Sequence, residues 1–358
     1  MLAPVDGYLT RQDDLEIPEH NTILGGAAWT YPARRIARFH MPGLHVGITY
    51  IGGINTVRAD SGAEPVAAAL MGLPDALRPS FTCFDYGGFG KSGGELYDLK
   101  FGQMLDDARS VVEATAGPQI LVGTSMGGFI ALKLAQEEHA RKLAAAESGS
   151  KKGILGEKRK ILAVVPINAA WNFSELPNIR QVCRHIVTNI RHMRNGGRPL
   201  PSGLVREFLA EGRHHCLRTE SSPGGEQRFP FGCPVLAIQG GADPLVKVER
   251  SKELMRRIDA PATELYVFPE GNHHMTNDQV RHLVRNGLPA VAKSLGQDLP
   301  WLMQDHAQES LKKFFAAAGR QVAALFAGQA GDIPALRPDG YDFGNLRSPS
   351  VAPSRMPG

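Results

Sequence analysis

The chain alternates between short runs rich in apolar and β-branched residues and longer segments with helical spacing. Six runs are predicted to be strands, at 45–51, 81–84, 119–122, 161–166, 234–239 and 263–268. Five helices are predicted between and after them, at 63–71, 101–114, 129–146, 248–258 and 277–295. Alternation of this kind is typical of a mostly parallel sheet with helices on both faces. The sequence therefore predicts an α/β architecture.

Several segments depart from this alternation. Segment 171–230 contains no convincing strand, only helix-like pieces between glycines and prolines, and we interpret it as an inserted helical lid. The core is then formed by 1–170 and 231–300, with an exposed Lys- and Gly-rich loop at 147–159. Apolar residues at helical spacing predict a C-terminal helix at 301–328 that docks on the core, a membrane-surface helix being the alternative. The tail, 329–358, is predicted to be disordered because of its many prolines and glycines.

Composition limits the classes of partner. With 358 residues, 42% of them hydrophobic, the chain can bury a large core. Its 40 basic and 36 acidic residues are nearly balanced, which gives no indication of nucleic-acid binding. No apolar run approaches the roughly 18 to 20 residues that a membrane span needs, so we expect no stable membrane insertion.

The cysteines and the N-terminal charges bear on the compartment. The four cysteines are widely spaced and form no CxxC pair, so we expect reduced thiols. The first twenty residues carry five acidic side chains, which argues against a signal peptide and against a mitochondrial presequence. The expected setting is the cytoplasm.

One short motif suggests a nucleophile. Gly123, Ser125 and Gly127 form a GxSxG pattern between a predicted strand and a predicted helix, as in a turn that exposes a reactive serine. The same pattern surrounds Ser92, but that serine follows a glycine-rich stretch and precedes no apolar helix. We therefore interpret Ser92 as a loop residue.

The stretch "DYGGFGKS" also approaches a phosphate-binding loop, which requires GxxxxGK[ST]. Asp85 stands where the first glycine is needed, and its carboxylate would repel a phosphate. No helix begins after the stretch to add its dipole. Nucleotide binding is therefore disfavoured, and we expect no cofactor.

A serine hydroxyl needs a base, and the base needs an acid that orients it. Asp243 follows the predicted strand 234–239, and His273 follows the strand 263–268. The carboxyl ends of parallel strands meet at one edge of a sheet, so Ser125, Asp243 and His273 are candidates for a catalytic triad in the chain order of α/β hydrolases.

Simpler interpretations of these residues remain. Asp243 could begin a turn before Pro244, and His273 could be a surface histidine. His274 competes with His273 for the role of base, although the spacing from the strand favours His273.

The oxyanion of a tetrahedral intermediate needs N–H donors. Met126, which follows the candidate nucleophile, is one candidate donor. Gly53 is the other, because "GGIN" follows the strand 45–51 and would let the backbone curl over the site. The alternative for Gly53 is an ordinary turn at the end of a strand.

Five motifs in order, "GGIN", "DYGGFGKSGG", "GTSMGG", "GGADPLV" and "GNHHM", resemble the serine hydrolases of the α/β-hydrolase superfamily. Within it, "GPQILVGTSMGGFIALKLA", "HHCL" and "GNHHM" are similar to mitochondrial acyl-protein thioesterases that also cleave acyl glucuronides. The resemblance covers residues 40–295 approximately and is loose in the lid. It implies an α/β-hydrolase fold, the triad Ser125, Asp243 and His273, and oxyanion donors at Gly53 and Met126. It also gives the mitochondrial matrix as an alternative compartment.

The expected activity is therefore hydrolysis of carboxylic esters or thioesters through an acyl-Ser125 intermediate, on a small-molecule or acylated substrate. The alternatives are an inactive binding protein with this fold, or a peptidase or carbon–carbon hydrolase with the same triad. A metal site at His214, His215 and Cys216 is disfavoured, because adjacent histidines point apart and no carboxylate stands at a matching spacing.

The lid has an uneven charge. It carries nine arginines, five glutamates and no aspartate. This predicts a preference for substrates with an anionic acyl or leaving group, the alternative being a solvated basic surface.

Overall fold

The computed structural model describes residues 9–12, 14–54, 79–96, 99–148, 160–176, 203–221 and 226–273, together with 63, 66, 67, 70, 179, 180, 183 and 184. Numbered along the chain, the strands before the first fully described helix are β1 (Thr10–Arg11), β2 (Leu15–Ile17), β3 (His20–Leu24), β4 (Ala27–Tyr31), β5 (Arg34–Ile36), β6 (Arg38–Met41), β7 (Leu44–Ile51) and β8 (Pro79–Phe84). The later strands are β9 (Gln119–Thr124), β10 (Ile161–Ile167), β11 (Glu220–Ser221), β12 (Gln227–Pro230), β13 (Val235–Gly240), β14 (Ile258–Asp259) and β15 (Thr263–Phe268).

Four helices are described over their whole length. They are α1 (Phe101–Ala114), α2 (Met126–Glu147), α3 (Leu204–Gly212) and α4 (Val248–Arg257). Short 3₁₀ turns lie at Phe173–Glu175 and Arg213–His215. Within the described residues, none of these helices has both the length and the apolar composition that crossing a membrane requires.

The main sheet has eight strands in the order β1-β6-β8-β7-β9-β10-β13-β15. The six strands from β8 to β15 in this order pair in parallel, and β6 and β1 extend one edge with antiparallel pairs. These six are the predicted strands, so the α/β prediction is confirmed. Because they are parallel, the loops at their carboxyl ends share one edge of the sheet.

The predicted helices agree with the structure where it describes them. Segments 101–114, 129–146 and 248–258 correspond to α1, α2 and α4, and α2 begins three residues earlier than expected. Residues 63, 66, 67 and 70, in the predicted helix 63–71, are helical. The predicted helices 277–295 and 301–328, the tail 329–358 and all but the start of the loop 147–159 lie outside the described residues.

The N-terminal strands β1 to β6 were not predicted. One of them, β5, contains a buried arginine that is paired with a carboxylate of α1. Arg34 lies in β5 with its side chain fully buried, and its Nε donates to Asp107 Oδ1 over 2.5 Å. Asp107 Oδ2 also accepts the Gly87 N–H over 2.9 Å. Burial raises the pKa of Asp107 to about 6, against the opposing charge of Arg34. This pair ties β5 and the loop after β8 to α1.

The prediction that 171–230 contains no strand is wrong at the end of that segment. Strand β11 pairs antiparallel with β12, and β12 pairs in parallel with β14. The partner β14 lies almost thirty residues further along the chain, at Ile258–Asp259. A four-residue strand that ends in Pro230 and depends on so distant a partner has little local signal.

Aromatic side chains join α3, in the segment predicted to be a lid, to the core. The ring of Phe208 lies 5.2 Å from that of Phe173, centroid to centroid. The ring of Phe101 lies 5.1 Å from Phe173 and is stacked on Phe129 at 5.1 Å. The described part of segment 171–230 therefore shares one hydrophobic core with α1 and α2.

A buried carboxylate reinforces this junction. Glu211 at the end of α3 accepts hydrogen bonds from the Tyr31 hydroxyl at 2.5 Å, from the Gly102 N–H at 3.0 Å and from His215 Nε2 at 2.7 Å. Gly102 belongs to the first turn of α1, whose N–H groups have no acceptor within the helix. Burial opposes the charge of Glu211, but the hydrogen bonds from His215, Tyr31 and Gly102 hold its pKa below the ordinary value.

We expect Glu211→Gln to lower the free energy of unfolding by about 2 kcal/mol at neutral pH, because one carbonyl oxygen cannot serve all of these donors. The pKa of Glu211 is lower in the folded protein, so its stabilising effect is present above the unfolded-state pKa and is lost as pH falls through the folded-state value. Urea unfolding of both proteins at about pH 7 and about pH 3.5 measures this difference. Glu207→Gln, at an exposed position of the same helix, is the control and should unfold like the wild type. Equal stability of Glu211→Gln and wild type at neutral pH would contradict the proposed anchor.

Candidate active site

Ser125 stands in a sharp turn between β9 and α2. Its backbone has φ 53° and ψ −117°, a positive φ that costs energy for a residue with a side chain. The Ser125 N–H donates to the Ile167 carbonyl over 2.8 Å, and the Ser125 carbonyl accepts the Ala170 N–H over 3.0 Å. The end of β10 thus holds the turn in this conformation.

The two glycines of the motif are required by close approach of the backbone. A Cβ on Gly127 would lie 2.1 Å from the Ile51 carbonyl oxygen, and one on Gly123 would lie 2.3 Å from the Gly127 carbonyl oxygen. Both distances are too short for any side chain. Glycine is therefore required at both positions, because β9, α2 and the end of β7 pack too closely to leave room for a side chain.

The structure brings Ser125, His273 and Asp243 together in one hydrogen-bonded series. His273 Nε2 lies 3.0 Å from Ser125 Oγ, and His273 Nδ1 lies 2.7 Å from Asp243 Oδ2. The residues follow β9, β15 and β13 respectively, all at the same edge of the sheet. Both distances are within the range for proton transfer and for orientation of an imidazole.

The environment of Asp243 fixes the direction of its carboxylate. Its side chain is fully buried, and its Oδ1 accepts the N–H groups of Leu245 at 2.7 Å and Val246 at 3.0 Å. The other oxygen, Oδ2, faces His273. If Nδ1 carries the proton that bonds to Asp243, Nε2 is free to accept the proton of Ser125.

The two candidate oxyanion donors lie beside the candidate nucleophile. Met126 is the first residue of α2 and directly follows Ser125. A Cβ on Gly53 would lie 3.3 Å from Ser125 Cβ and 3.9 Å from Ser125 Oγ, so the backbone of Gly53 runs alongside the serine side chain. This proximity is compatible with an oxyanion site between the two backbones.

The second GxSxG pattern has a structural explanation. Ser92 Oγ donates to the Asp85 carbonyl at 2.5 Å and accepts the Ala37 N–H at 2.8 Å. Asp85 Oδ2 accepts the Lys91 N–H at 2.9 Å. The Asp85 carboxylate therefore lies inside its own loop, where a phosphate-binding loop would leave room for the ligand.

Of the other histidines considered in the sequence, His215 has a defined partner. His215 bonds to Glu211, as described above, and no group of three or more potential metal ligands is found within the described residues. His274 lies outside the described residues.

Sequence reasoning missed one residue at this edge of the sheet. Asn168 directly follows β10, is fully buried and has a positive φ of 46°. Its side chain bonds to the backbone of both the segment that leads to Asp243 and the segment that carries His273. A buried asparagine at the carboxyl end of a central strand was the available signal.

Comparison with known proteins agrees with this architecture. A putative hydrolase from Agrobacterium vitis S4 has a similar structure, with a TM-score of 0.52 and 23% identity, over 76% of this chain and 98% of that one. The chain has the α/β-hydrolase fold. The family described as "Hydrolase_4: Serine aminopeptidase, S33" matches residues 79–150, which include the turn at Ser125.

Two similar proteins carry functional names. The mouse (Mus musculus) palmitoyl-protein thioesterase ABHD10, mitochondrial, is 27% identical over 68% of this chain and 72% of its own length. The rat (Rattus norvegicus) protein of the same name is 28% identical over 61% of this chain and 67% of its own length. The resemblance inferred from the sequence motifs agrees with these matches.

Proposed function

We propose that this α/β hydrolase cleaves carboxylic esters or thioesters by transferring the acyl group to Ser125 and then to water. The observation that carries the proposal is the hydrogen-bonded series from Ser125 through His273 to Asp243, with distances of 3.0 Å and 2.7 Å. Relatives named as thioesterases support the same class of reaction.

In the first half of the reaction, Ser125 Oγ attacks the carbonyl carbon while His273 Nε2 accepts the serine proton. The N–H groups of Gly53 and Met126 stabilise the negative oxygen of the tetrahedral intermediate. His273 then gives its proton to the departing alcohol or thiol, and the acyl group remains on Ser125.

In the second half, His273 accepts a proton from water as the water oxygen attacks the acyl carbon. The second tetrahedral intermediate collapses, His273 returns the proton to Ser125 Oγ and the carboxylic acid leaves. Asp243 stabilises the protonated imidazole in both halves, because its carboxylate is held by two backbone N–H groups. These steps require neither a metal nor an organic cofactor.

The substrate that we propose is a small acyl ester or an acylated protein. The names of the mouse and rat relatives point to S-acylated proteins, since those relatives are called palmitoyl-protein thioesterases. The description of the matching family, a serine aminopeptidase, keeps peptides as the second candidate class. We propose the cytoplasm or the mitochondrial matrix as the compartment, and the word "mitochondrial" in the names of the relatives supports a mitochondrial setting.

We expect Ser125→Ala to abolish hydrolysis, and Asp243→Asn to lower kcat by about 10⁴-fold because an amide favours the wrong imidazole tautomer. The measurement is steady-state hydrolysis of p-nitrophenyl esters and acyl thioesters that differ in chain length, with an aminoacyl p-nitroanilide as the peptidase substrate. Ser92→Ala, in the second GxSxG pattern, is the matched control and should keep kcat within about threefold.

Two results would redirect this proposal. Faster cleavage of the anilide than of every ester and thioester would favour a peptidase. Absence of turnover on the whole panel, with no difference between wild type and Ser125→Ala, would favour a binding protein with an unused triad.

The charge of the lid supports a narrower proposal about specificity. Arg180, Arg184, Arg206 and Arg213 line a cavity of about 300 Å³, together with apolar side chains of α3. No acidic side chain is among the described residues that line it. We propose that the positive charge of these arginines favours the approach of substrates whose acyl or leaving group carries a negative charge.

We expect a higher kcat/KM for an anionic ester than for a neutral ester of the same acid. Arg206→Gln and Arg213→Gln should each reduce the ratio of the two values by about fivefold or less, as for a partly exposed ion pair. Arg228→Gln, on β12 outside the cavity, is the control. A preference for the neutral ester, or an unchanged ratio in the Arg206 and Arg213 variants, would contradict this proposal.

A further inference from the structure

We infer that Asn168 is a positioning residue that sets the placement of the catalytic histidine relative to the acid and the nucleophile. The inference rests on the proposed function, because it concerns the same triad. It assigns a role to a side chain that touches neither the substrate nor the reacting atoms.

The contacts of the Asn168 amide connect two loops. Its Nδ2 donates to the carbonyl of Asn272 at 3.0 Å and to the carbonyl of His273 at 2.9 Å. Its Oδ1 accepts the N–H of Gly240 at 2.7 Å. Gly240 ends β13, and the Asp243 N–H lies 3.3 Å from the Gly240 carbonyl. One side chain thus holds the backbone of His273 and the start of the acid loop.

The chemistry of these contacts requires an amide. An asparagine side chain offers an acceptor oxygen and two N–H donors, and this site uses the acceptor once and the donor nitrogen twice. An aspartate of nearly the same shape would point an oxygen at two carbonyl oxygens. Asparagine also tolerates the positive φ of 46° better than most residues that carry a side chain.

The backbone around Asn168 reaches the third member of the triad. Its neighbour Ile167 accepts the Ser125 N–H, and Ala170 donates to the Ser125 carbonyl, at 2.8 Å and 3.0 Å. The Asn168 N–H itself donates to the Ile238 carbonyl of β13 at 2.8 Å. The segment 167–170 is therefore bonded to the backbone near all three catalytic side chains. Asn168 is the residue of that segment whose side chain reaches His273.

These hydrogen bonds of Asn168 determine the fraction of time in which His273 is aligned with Ser125 and Asp243. The acid and base loops also touch directly, through the Ala242 N–H and the Gly271 carbonyl at 2.9 Å. That hydrogen bond holds Gly271, two residues before His273. The carbonyl of His273 itself is bound by Asn168. Losing the amide donors would let the His273 backbone move, which lengthens the 3.0 Å separation between His273 Nε2 and Ser125 Oγ. Proton transfer would slow, while substrate binding would change little.

The test compares Asn168→Asp and Asn168→Ala with Asn172→Asp. Asn172 is a matched control, because it is also buried, has the same φ of 46° and uses its Oδ1 to accept the Leu217 N–H rather than to hold the triad. For each full-length variant the folded fraction is measured by circular dichroism. Then kcat and KM for a p-nitrophenyl ester, and the rate of covalent labelling by a fluorophosphonate probe, are measured per folded molecule.

We expect both Asn168 variants to lower kcat and the labelling rate by at least about thirtyfold, with KM within about threefold of wild type. Asn172→Asp should stay within about threefold in all three quantities. Asn168 variants that label at the wild-type rate, or that fail to fold while Asn172→Asp folds, would give Asn168 a purely structural role and overturn the inference. If wild type and Ser125→Ala are both unlabelled, the proposed function itself fails, which is a separate result.

Discussion

The positive-φ backbone of Ser125 is the constraint on which the rest of the site depends. Such a conformation costs about 1 to 3 kcal/mol and persists where the surrounding structure enforces it. Here the enforcing contacts are the hydrogen bonds to Ile167 and Ala170 and the close approach of Gly127 to the Ile51 carbonyl. The result is a hydroxyl that faces the loops of β13 and β15, where Asp243 and His273 stand. The strained backbone of Ser125 and the packing of β7, β10 and α2 around it therefore place this hydroxyl within hydrogen-bond distance of His273.

The described part of the predicted lid, segment 171–230, is hydrogen-bonded to the core. Lys133 Nζ donates to the Cys216 carbonyl at 3.0 Å, and Gln136 exchanges hydrogen bonds with the backbone of Arg218 at 2.7 Å and 2.8 Å. Both side chains belong to α2, the helix that begins next to Ser125. Glu211 and Phe208 of α3 make the further contacts described above. Together these contacts tie residues 203–218 to the core. Residues 203–218 are thus hydrogen-bonded to the helix that begins next to Ser125.

Much of this fold could be predicted from the sequence, because its signals are local. Each parallel strand is a short apolar run, and β9, β13 and β15 are followed by turns that carry Ser125, Asp243 and His273. Ser125, Asp243 and His273 could be proposed because their positions after three strands imply one edge of one sheet. Placing these three residues at one edge needed only the general behaviour of parallel strands, whereas the order of the strands in the sheet was not predicted.

The features that were missed depend on distant partners. Arg34 in β5 is buried with Asp107 of α1 as its ion-pair partner. The two residues are far apart in the sequence, so no local pattern predicts the pair. Strand β12 exists because β14 lies beside it. Asn168 acquires its importance from carbonyl groups more than one hundred residues away. The roles of these residues become evident when the folded backbone shows which groups they contact.

The most direct test of the central claim is to trap the acyl enzyme. Wild-type protein is mixed with a p-nitrophenyl ester, quenched with acid within the first turnover and digested, and the modified peptide is identified by mass spectrometry. We expect a burst in which each active protein molecule releases about one molecule of p-nitrophenol. We also expect the acyl group to be found on Ser125. An acyl group on Ser92 or Cys216, or turnover with no acylated residue at Ser125, would contradict it.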